Sequence, residues 1–386
     1  MKRTLPLSLF AAAAALSLAA CSSSPVASTS DGGDAKPVSG AEAAVQTAQD
    51  EIDKFSAVPE FTAPNDAFDV SELAGKRIAI VALDQQTPSL VSTTEGIKAA
   101  AEAAGLKTSL FDAKQTPSEM TAGIAQAVAT NADGIVLVGI SVGLVAKQLG
   151  DAAAAGIPVV AANNNQPDAT APGQGAGDGI FATAAPDFHQ AGVLAASGAI
   201  VKTGGAAKAL LISTEQIDPA PAVLSGMEDG LKACTTCAVL DTKTVQIQDW
   251  FNGNLASVTA SLVTTHKDAN VALPVFSAMA QTMIPAAQQA GSAGNITFYT
   301  TSAPPDAAKL LETNAALGGL VGQSDENVGW LSVNQVMRGM LGLEPGDPVV
   351  PTRYLTADVV KESGTDQTEL FGDAYVDGFK TLWGLA

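Results

Sequence analysis

The chain has 386 residues, which is long enough for two domains that each have a hydrophobic core. Hydrophobic residues make up 47% of it, and this share excludes a disordered chain. Acidic residues outnumber basic ones 39 to 20, and a surface with a formal charge of -19 repels phosphate backbones, so we expect no nucleic-acid partner. Two histidines and three cysteines leave little material for a metal site, and no pattern indicates a cofactor.

The first twenty residues have the pattern of an export signal. A basic start at 2–3 is followed by an apolar run over 5–16, which is too short to span a bilayer, and by Leu-Ala-Ala-Cys at 18–21. This last motif resembles the bacterial lipobox, whose cysteine is lipidated and becomes the first residue of the mature protein. We therefore predict a signal peptide over 1–20 and lipidation at Cys21. The alternative is a plain secretion signal that ends near a cysteine.

The segment after Cys21 is predicted to be a tether. Residues 22–40 are rich in Ser, Gly, Asp, Ala and Pro and contain almost nothing to bury. Apolar residues then recur at helical spacing, at Val45, Ala48, Ile52 and Phe55. We therefore interpret 21–75 as a lipidated tether with one short docked helix, and we expect an extracytoplasmic protein held to the cell membrane by its lipid alone.

From Lys76 onward, short apolar strands alternate with amphipathic helices. In the first half we predict strands over 77–83, 108–111, 134–138 and 159–162 and helices over 94–104, 117–130 and 144–155. A polar loop rich in Gly and Pro, 163–179, interrupts the alternation. It then resumes with strands over 209–212, 239–245, 271–276 and 296–300 and helices over 186–201, 220–232, 254–265 and 282–290.

This alternation predicts an α/β fold with two doubly wound parallel-sheet lobes, because nearly continuous apolar strands require helices on both faces of a sheet. Ligands of open parallel sheets bind beyond the carboxyl ends of the strands. With two such sheets facing each other, that place is the cleft between the lobes.

Several short motifs follow one another along the chain. They are Lys-Arg-Ile-Ala-Ile-Val at 76–81, Gly-Ile at 96–97 with three alanines at 99–101, Ala-Asp-Gly-Ile-Val at 132–136 and Ala-Gly-Ile-Pro-Val-Val at 155–160. Weaker matches follow at 187–192, 279–291 and 320–323. Together they resemble the type I periplasmic binding proteins, of which the ribose and galactose binders are the best known, over roughly residues 76–360.

The resemblance implies three crossings between the lobes, near Phe181, Gln323 and Val350. The N-terminal lobe would then contain 76–182 plus 324–350, and the C-terminal lobe 183–323 plus 351–386. It also implies a monomeric receptor that passes a small-molecule ligand to an ATP-binding-cassette (ABC) permease, and no enzymatic activity.

The family's ligand positions can be carried onto this chain one at a time. Where relatives have Asn-Pro-Phe-Phe, residues 87–90 read Thr-Pro-Ser-Leu, so both stacking rings are absent. The family's Asp-Arg pair falls on Asn163 and Asn164, which can still donate and accept hydrogen bonds. The residues implied as ligand-binding are Gln85, Thr87, Leu90, Asn163, Asn164, Val223, Trp250, Phe276, Ser277, Met279, Ser302 and Gln323.

The replacements predict a ligand that is less polar than a simple sugar. Sugar hydroxyls need ionised partners, and each charge-assisted hydrogen bond contributes about 1.5–3 kcal/mol. An aromatic or alicyclic compound with a few oxygens suits the lining better. Each position also has a structural alternative: Trp250, Phe276 and Met279 could belong to the core, the asparagines to an ordinary turn, and Gln323 to hinge hydrogen bonds.

Cys234 and Cys237 form a C-x-x-C motif. The pair follows a predicted helix instead of starting one, so it lacks the setting that lowers a thiol pKa in redox enzymes. A zinc site would need two further ligands, and only His189 and His266 are left, without supporting spacing. We predict a structural disulfide, as is usual in an oxidising compartment.

Motifs of known hydrolases, metalloproteases and nucleotide-binding proteins are not found at strand ends in the sequence. The leading interpretation is therefore a solute-binding lipoprotein of an ABC importer. Two alternatives stay open: a sensory receptor of the same fold, and a secreted hydrolase or structural lipoprotein of the cell envelope.

Overall fold

The computed structural model describes residues 39–164, 179–292 and 294–385, without the side chain of Phe251. The predicted signal peptide, the lipidation site Cys21 and nearly all of the predicted tether lie outside the described residues, as do residues 165–178 of the predicted loop. None of the helices in the described ranges is both long and apolar enough to cross a membrane.

The first lobe is built on a six-stranded parallel sheet. Its strand order is β11-β5-β4-β3-β1-β2. These strands are β1 (Arg77–Ala82), β2 (Lys107–Asp112), β3 (Gly134–Val138), β4 (Val159–Ala162), β5 (Ala182–Pro186) and β11 (Val349–Val350). The helices of this lobe are α2 (Pro88–Ala103), α3 (Pro117–Ala129), α4 (Ala146–Ala154) and α11 (Asp325–Met340).

Helices cover both faces of this sheet, as its apolar strands require. Ile78 and Ile80 of β1 belong to the core beneath α2 and α11, whereas Val81 faces the core beneath α3 and α4. Strands buried on both faces carry apolar residues at consecutive positions, which is why β1 and β3 could be predicted.

The second lobe is built on a six-stranded mixed sheet of order β12-β10-β9-β8-β6-β7, in which β12 runs antiparallel to β10. Its strands are β6 (Lys208–Ser213), β7 (Ala238–Thr244), β8 (Val271–Pro274), β9 (Thr297–Thr301), β10 (Leu317–Gln323) and β12 (Thr352–Leu355). Its helices are α5 (Phe188–Lys202), α6 (Ala220–Ala233), α7 (Ile247–Phe251), α8 (Asn254–Thr265), α9 (Ser277–Ala287), α10 (Pro305–Thr313), α12 (Ala357–Ser363) and α13 (Gln367–Phe371).

Two predicted helices differ from the observed ones by more than two residues at an end. The helix predicted over 94–104 begins at Pro88, because a proline at the first helical position is compatible with helix geometry. The helix predicted over 282–290 occupies Ser277–Ala287 and is followed by a π-helical turn, Gln288–Ser292, inside which Gly291 has a left-handed φ of 91°.

The first crossing between the lobes lies after β5, so the predicted boundary at 182/183 is too early. Strand β5 pairs with β4 and β11 in the first sheet. Helix α5 follows at once in the second lobe, and Asp187 caps it by accepting a hydrogen bond from the backbone N–H of Gln190 at 2.9 Å. The strand was missed because Ala-Thr-Ala-Ala-Pro has small side chains that give almost no hydrophobic signal.

Both ends of the described body also cross between the lobes, beyond the three crossings predicted. Helix α1 (Gly40–Lys54) packs on α5 of the second lobe through Ala48 and Ile52. The chain then passes into the first lobe, where Pro64 accepts a hydrogen bond from the backbone N–H of Asp347 at 2.8 Å. An N-terminal segment of the chain therefore also passes between the lobes at the hinge.

The C-terminal helix α14 (Ala374–Leu382) lies in the first lobe. The prediction that all of 351–386 belongs to the second lobe is therefore wrong for this helix. It packs on α11 of the first lobe. Trp383 stacks on Trp330 with ring centroids 5.5 Å apart, and Phe379 meets Phe61 edge-on at 5.1 Å. Packed aromatic rings stabilise a fold by more than their buried area alone. These ring contacts therefore hold α14 on the first lobe.

The predicted disulfide is present. Cys234 and Cys237 are bonded, with their Cα atoms 5.3 Å apart. The bridge closes the turn between α6 and β7, in agreement with a structural role.

Candidate ligand-binding site

The carboxyl ends of strands from both lobes meet at one place. Asn164 follows β4 in the first lobe, and Asp218 lies on the loop between β6 and α6 in the second. The Nδ2 atom of Asn164 donates a hydrogen bond to Oδ2 of Asp218 at 3.1 Å. This contact identifies the interlobe cleft at the strand ends as the candidate site.

A buried carboxylate lies at the hinge beside this contact. Asp325 is the first residue of α11 and is only 4% exposed. Its Oδ1 accepts hydrogen bonds from Nε2 of Gln323 at 2.9 Å and from Nδ2 of Asn163 at 3.3 Å, and its backbone N–H donates to Oε1 of Gln367 at 3.2 Å. Burial raises the pKa of Asp325 to about 7, against the opposing effect of the two amides.

The two consecutive asparagines diverge because of the backbone between them. Asn163 has a left-handed φ of 55°, a conformation that asparagine tolerates better than most residues. Its side chain therefore reaches Asp325, whereas Asn164 turns the other way and donates to the carbonyl of Ile140 at 2.8 Å. The turn thus directs one amide to the hinge and the other across the cleft.

The loop after β1 contains a second buried carboxylate, Asp84, which is 1% exposed. It accepts hydrogen bonds from the backbone N–H groups of Gln86 and Thr87, both at 2.7 Å, from the Thr87 hydroxyl and from the Gln115 amide. Burial would raise the pKa of Asp84, but these donors outweigh it and hold the pKa below its ordinary value. Next to it, the Nε2 of Gln85 donates to the Asp84 carbonyl at 3.0 Å.

The second lobe contributes aromatic side chains. Phe276 caps α9 and Trp250 lies in α7, and both are half-buried against the second-lobe core. The loop that carries Asp218 is fixed to α7, because Oε1 of Gln216 accepts a hydrogen bond from the backbone N–H of Ile247 at 2.7 Å. Trp250 and Asp218 therefore belong to connected segments.

Two further predicted positions lie at strand or helix ends of the second lobe. Ser302 follows β9 with a left-handed φ of 69°, and Ser277 is the first residue of α9 and only 3% exposed. The side chain of Thr87 faces Asp84 at 3.0 Å, so it belongs to the loop after β1.

Three predicted ligand contacts are core residues instead. Val223 and Met279 are fully buried in the second-lobe core, at 0% exposure. Leu90 is buried in the first-lobe core and packs beneath Gly139, where an added Cβ would lie 2.9 Å from one of its methyl groups. Helical periodicity explains Val223 and Met279, because Met227 and Met283 lie four residues further on the same buried faces.

The sequence interpretation missed the two carboxylates that border the cleft, Asp218 and Asp325. The neutral lining it predicted is therefore incomplete. Asp218 could have been found from its position in the loop that follows an apolar strand, and Asp325 from its position two residues after Gln323. Within the described ranges, no group of His, Cys, Asp and Glu side chains is arranged to hold a metal ion.

Residues 78–343 match the family model described as a periplasmic binding protein domain, which is more than two thirds of the chain. The chain belongs to this family. The predicted type I fold, with two parallel-sheet lobes, is thereby confirmed for this periplasmic binding protein. No curated protein sequence matches the chain.

Solved structures of the same architecture include ABC transporter solute-binding proteins from several bacteria. The 5-methylthioribose transporter solute-binding protein from Thermotoga lettingae is 16% identical, with a TM-score of 0.66 over 80% of this chain and 99% of its own. A protein from Bacillus halodurans with bound myo-inositol is 16% identical, with a TM-score of 0.65 over 76% of this chain and 98% of its own.

A protein from Agrobacterium vitis with bound tagatopyranose is 18% identical, with a TM-score of 0.65 over 75% of this chain and 97% of its own. At these identities the likeness establishes the fold that this periplasmic binding protein shares with them. Its ligand depends on its own side chains.

Proposed function

We propose that this periplasmic binding protein is the extracytoplasmic solute-binding component of an ABC importer, held to the membrane by a lipid on Cys21. It captures a small organic ligand that is less polar than a simple sugar. The observation that carries the proposal is the hydrogen bond between Asn164 and Asp218, which joins the strand ends of the two lobes at the place where open parallel sheets bind ligands.

Capture follows from the two-lobed fold. A ligand that contacts both lobes binds the closed arrangement better than the open one, so it shifts the population toward closure. The closed form is then the one that a permease recognises. The neighbours from Thermotoga lettingae, Bacillus halodurans and Agrobacterium vitis are themselves solute-binding proteins of ABC transporters, which supports this assignment.

The two sides of the cleft differ in polarity, and from this we infer a ligand of intermediate polarity. Amide and carboxylate groups lie at the β4 end and the hinge, whereas Phe276 and Trp250 lie on the second lobe. A ligand with one apolar part and one hydrogen-bonding part suits both edges. The ligand of the Thermotoga neighbour, 5-methylthioribose, combines a thioether with hydroxyl groups in this way.

The direct test is to identify small molecules that are released from the purified, denatured protein by mass spectrometry, and then to measure thermal shifts with each compound found. At about 100-fold over Kd, binding stabilises the folded protein by about 2.7 kcal/mol, which a thermal shift resolves. A protein that carries no small molecule and shows no shift with a broad panel of candidate solutes would contradict the proposal.

Trp250→Ala should abolish most of that ligand-induced thermal shift while leaving the protein without ligand folded, because it removes the larger of the two aromatic surfaces. Val239→Ala is the matched control, since Val239 is an exposed apolar residue of the same lobe, on β7. An unchanged shift in Trp250→Ala would remove this residue from the site.

A further inference from the structure

Two segments outside the matched family domain also connect the lobes, the N-terminal segment 55–65 and the C-terminal segment 370–383. The N-terminal segment begins with Phe55 against the second-lobe core and reaches the first-lobe core with Phe61. The C-terminal segment makes the same crossing, from the end of α13 to α14. The lobes are therefore joined by two segments that the family model does not cover.

In the second lobe, one arginine holds both segments. Arg353 of β12 is only 7% exposed. Its Nε donates a hydrogen bond to the carbonyl of Ser56 at 2.9 Å, and its guanidinium also donates to the carbonyl of Leu370. The backbone N–H of Tyr354 donates to the Phe55 carbonyl at 2.8 Å. Because the guanidinium presents several donors in a fixed plane, one side chain fixes both segments to the second lobe.

In the first lobe, one buried amide holds both segments. Asn334 of α11 is fully buried, at 0% exposure. Its Nδ2 donates to Oδ1 of Asn65 at 2.7 Å, and its Oδ1 accepts a hydrogen bond from the indole N–H of Trp383 at 3.0 Å. The edge-on contact between Phe61 and Phe379 adds a second link between the segments. Both segments are therefore also fixed to the first lobe at one place.

The stretches between these two fixed places are short and touch each other. Residues 57–60 of the N-terminal segment take part in no hydrogen bond within the described structure. The corresponding C-terminal stretch is Gly372 and Asp373, between α13 and α14. A Cβ added at Gly372 would lie 2.9 Å from a methyl group of Val58. Since an extended chain spans at most about 3.6 Å per residue, two such short linkers restrict how far the lobes can separate.

We propose that the linkers 57–60 and 372–373 form an outer hinge that limits the opening of the lobes. Arg353 and Asn334 are its positioning residues, one in each lobe. A narrow opening slows the release of a bound solute, and it keeps the lobes close together before one binds. The inference goes beyond the proposed function, because it concerns the motion of the protein without ligand, whichever solute it takes.

The test is the interlobe distance in the full chain with Cys21→Ser, dialysed until mass spectrometry detects no bound solute. Spin labels are placed on cysteines introduced at the exposed positions Ser118 of α3 and Ser261 of α8. An insertion of Gly-Ser-Gly-Ser after Glu60 lengthens the N-terminal linker by at most about 14 Å and removes no hydrogen bond of the linker. The distance distribution should gain a population at longer values.

The matched control carries the same insertion after Gly156, on the exposed turn between α4 and β4 at the amino-terminal edge of the first sheet. It should keep the distribution of the chain without an insertion. If the insertion after Glu60 gives the same distribution as this control, the linker does not limit the opening and the inference is overturned.

Arg353→Lys tests the second-lobe anchor without a change in chain length. A lysine keeps the charge but has no planar fork, so it cannot hold both carbonyls in this geometry, and longer distances should appear. Arg77→Lys is the matched control, because Arg77 donates to the carbonyls of Thr130 and Asn131 within the first lobe. Circular dichroism checks folding, and the insertion after Glu60 decides the inference if Arg353→Lys does not fold. An unchanged distribution in folded Arg353→Lys would overturn the role of Arg353.

The outcomes separate this inference from the proposed function. Unchanged distributions in both variants of a protein that carries a co-purified solute would overturn the outer hinge and leave the proposed function intact. Longer distances in both variants of a protein that binds no solute would support the outer hinge and contradict the proposed function, because the distances are measured without ligand.

Discussion

Two carboxylates at the carboxyl edge of the first lobe, Asp84 and Asp325, are almost equally buried and yet differ in pKa. Asp84 is 1% exposed and Asp325 is 4% exposed. Asp84 accepts two backbone N–H groups, a hydroxyl and an amide, and its pKa lies below the ordinary value. Asp325 accepts two side-chain amides, and burial raises its pKa to about 7.

The donors around a buried carboxylate, and not burial alone, therefore decide whether it is charged in the folded protein. Backbone N–H groups at the start of α2 hold Asp84 charged, and its function is to fix the β1–α2 loop. Asp325 has no such backbone donor among its hydrogen bonds in the described structure, so its charge is costly until a donor from outside compensates it. A group of this kind at a hinge is suited to respond to a ligand.

The largest expected effect is on the pH dependence of stability. Between its ordinary pKa of 3.8 and about 7, Asp325 binds a proton in the folded protein that it does not bind in the unfolded chain. Stability therefore falls as the pH rises through this range, by on the order of 4 kcal/mol, and is constant above it. Urea unfolding of wild type and Asp325→Asn from pH 4 to 8 measures this loss as a growing difference between them. A difference that stays constant with pH would contradict it.

A smaller effect is expected at Asp84. Asp84→Ala leaves two backbone N–H groups and the Gln115 amide without their acceptor and should lower the free energy of unfolding by about 2 kcal/mol at pH 7. Because the folded pKa is lowered, this contribution is complete above the ordinary pKa of 3.8 and is lost as the pH falls below it.

The control for this substitution removes one donor and keeps the acceptor. Gln115→Ala should lower the free energy of unfolding by about 0.5 kcal/mol, since Gln115 is exposed. Chemical denaturation at pH 7 checks both values. Equal stability of Asp84→Ala and wild type would show that the cost of burying the Asp84 carboxylate cancels the gain from its hydrogen bonds. Asp84 and Asp325 would then not differ in the way proposed.

The sequence was sufficient for elements whose side chains carry a clear pattern. The strand over 134–138 and the helix over 254–265 agree with β3 and α8 residue by residue. A continuous apolar run in β3 and helical spacing in α8 dictate these elements locally. Strand β5 was missed because its alanines carry little signal, and α14 was misplaced because its contact with Trp330 depends on packing between distant segments.

The candidate site was predictable only in part, for the same reason. Asn163 and Gln323 were identified from the resemblance to relatives, but the residue that orients them, Asp325, contacts Asn163 across 162 positions of sequence. No local pattern reveals which amide nitrogen faces which acceptor. Val223 and Met279 were assigned to the ligand by alignment, although their helical positions place them in the core.

A solute held between the two lobes should change the distance between them. Spin labels would be placed on cysteines introduced at the exposed positions Ser118 of α3 and Ser261 of α8, in a chain that carries Cys21→Ser. Addition of the compound identified by mass spectrometry should narrow the interlobe distance distribution and shift it to shorter values, and Trp250→Ala should prevent this change. A distribution that is the same with and without a bound compound would contradict the account.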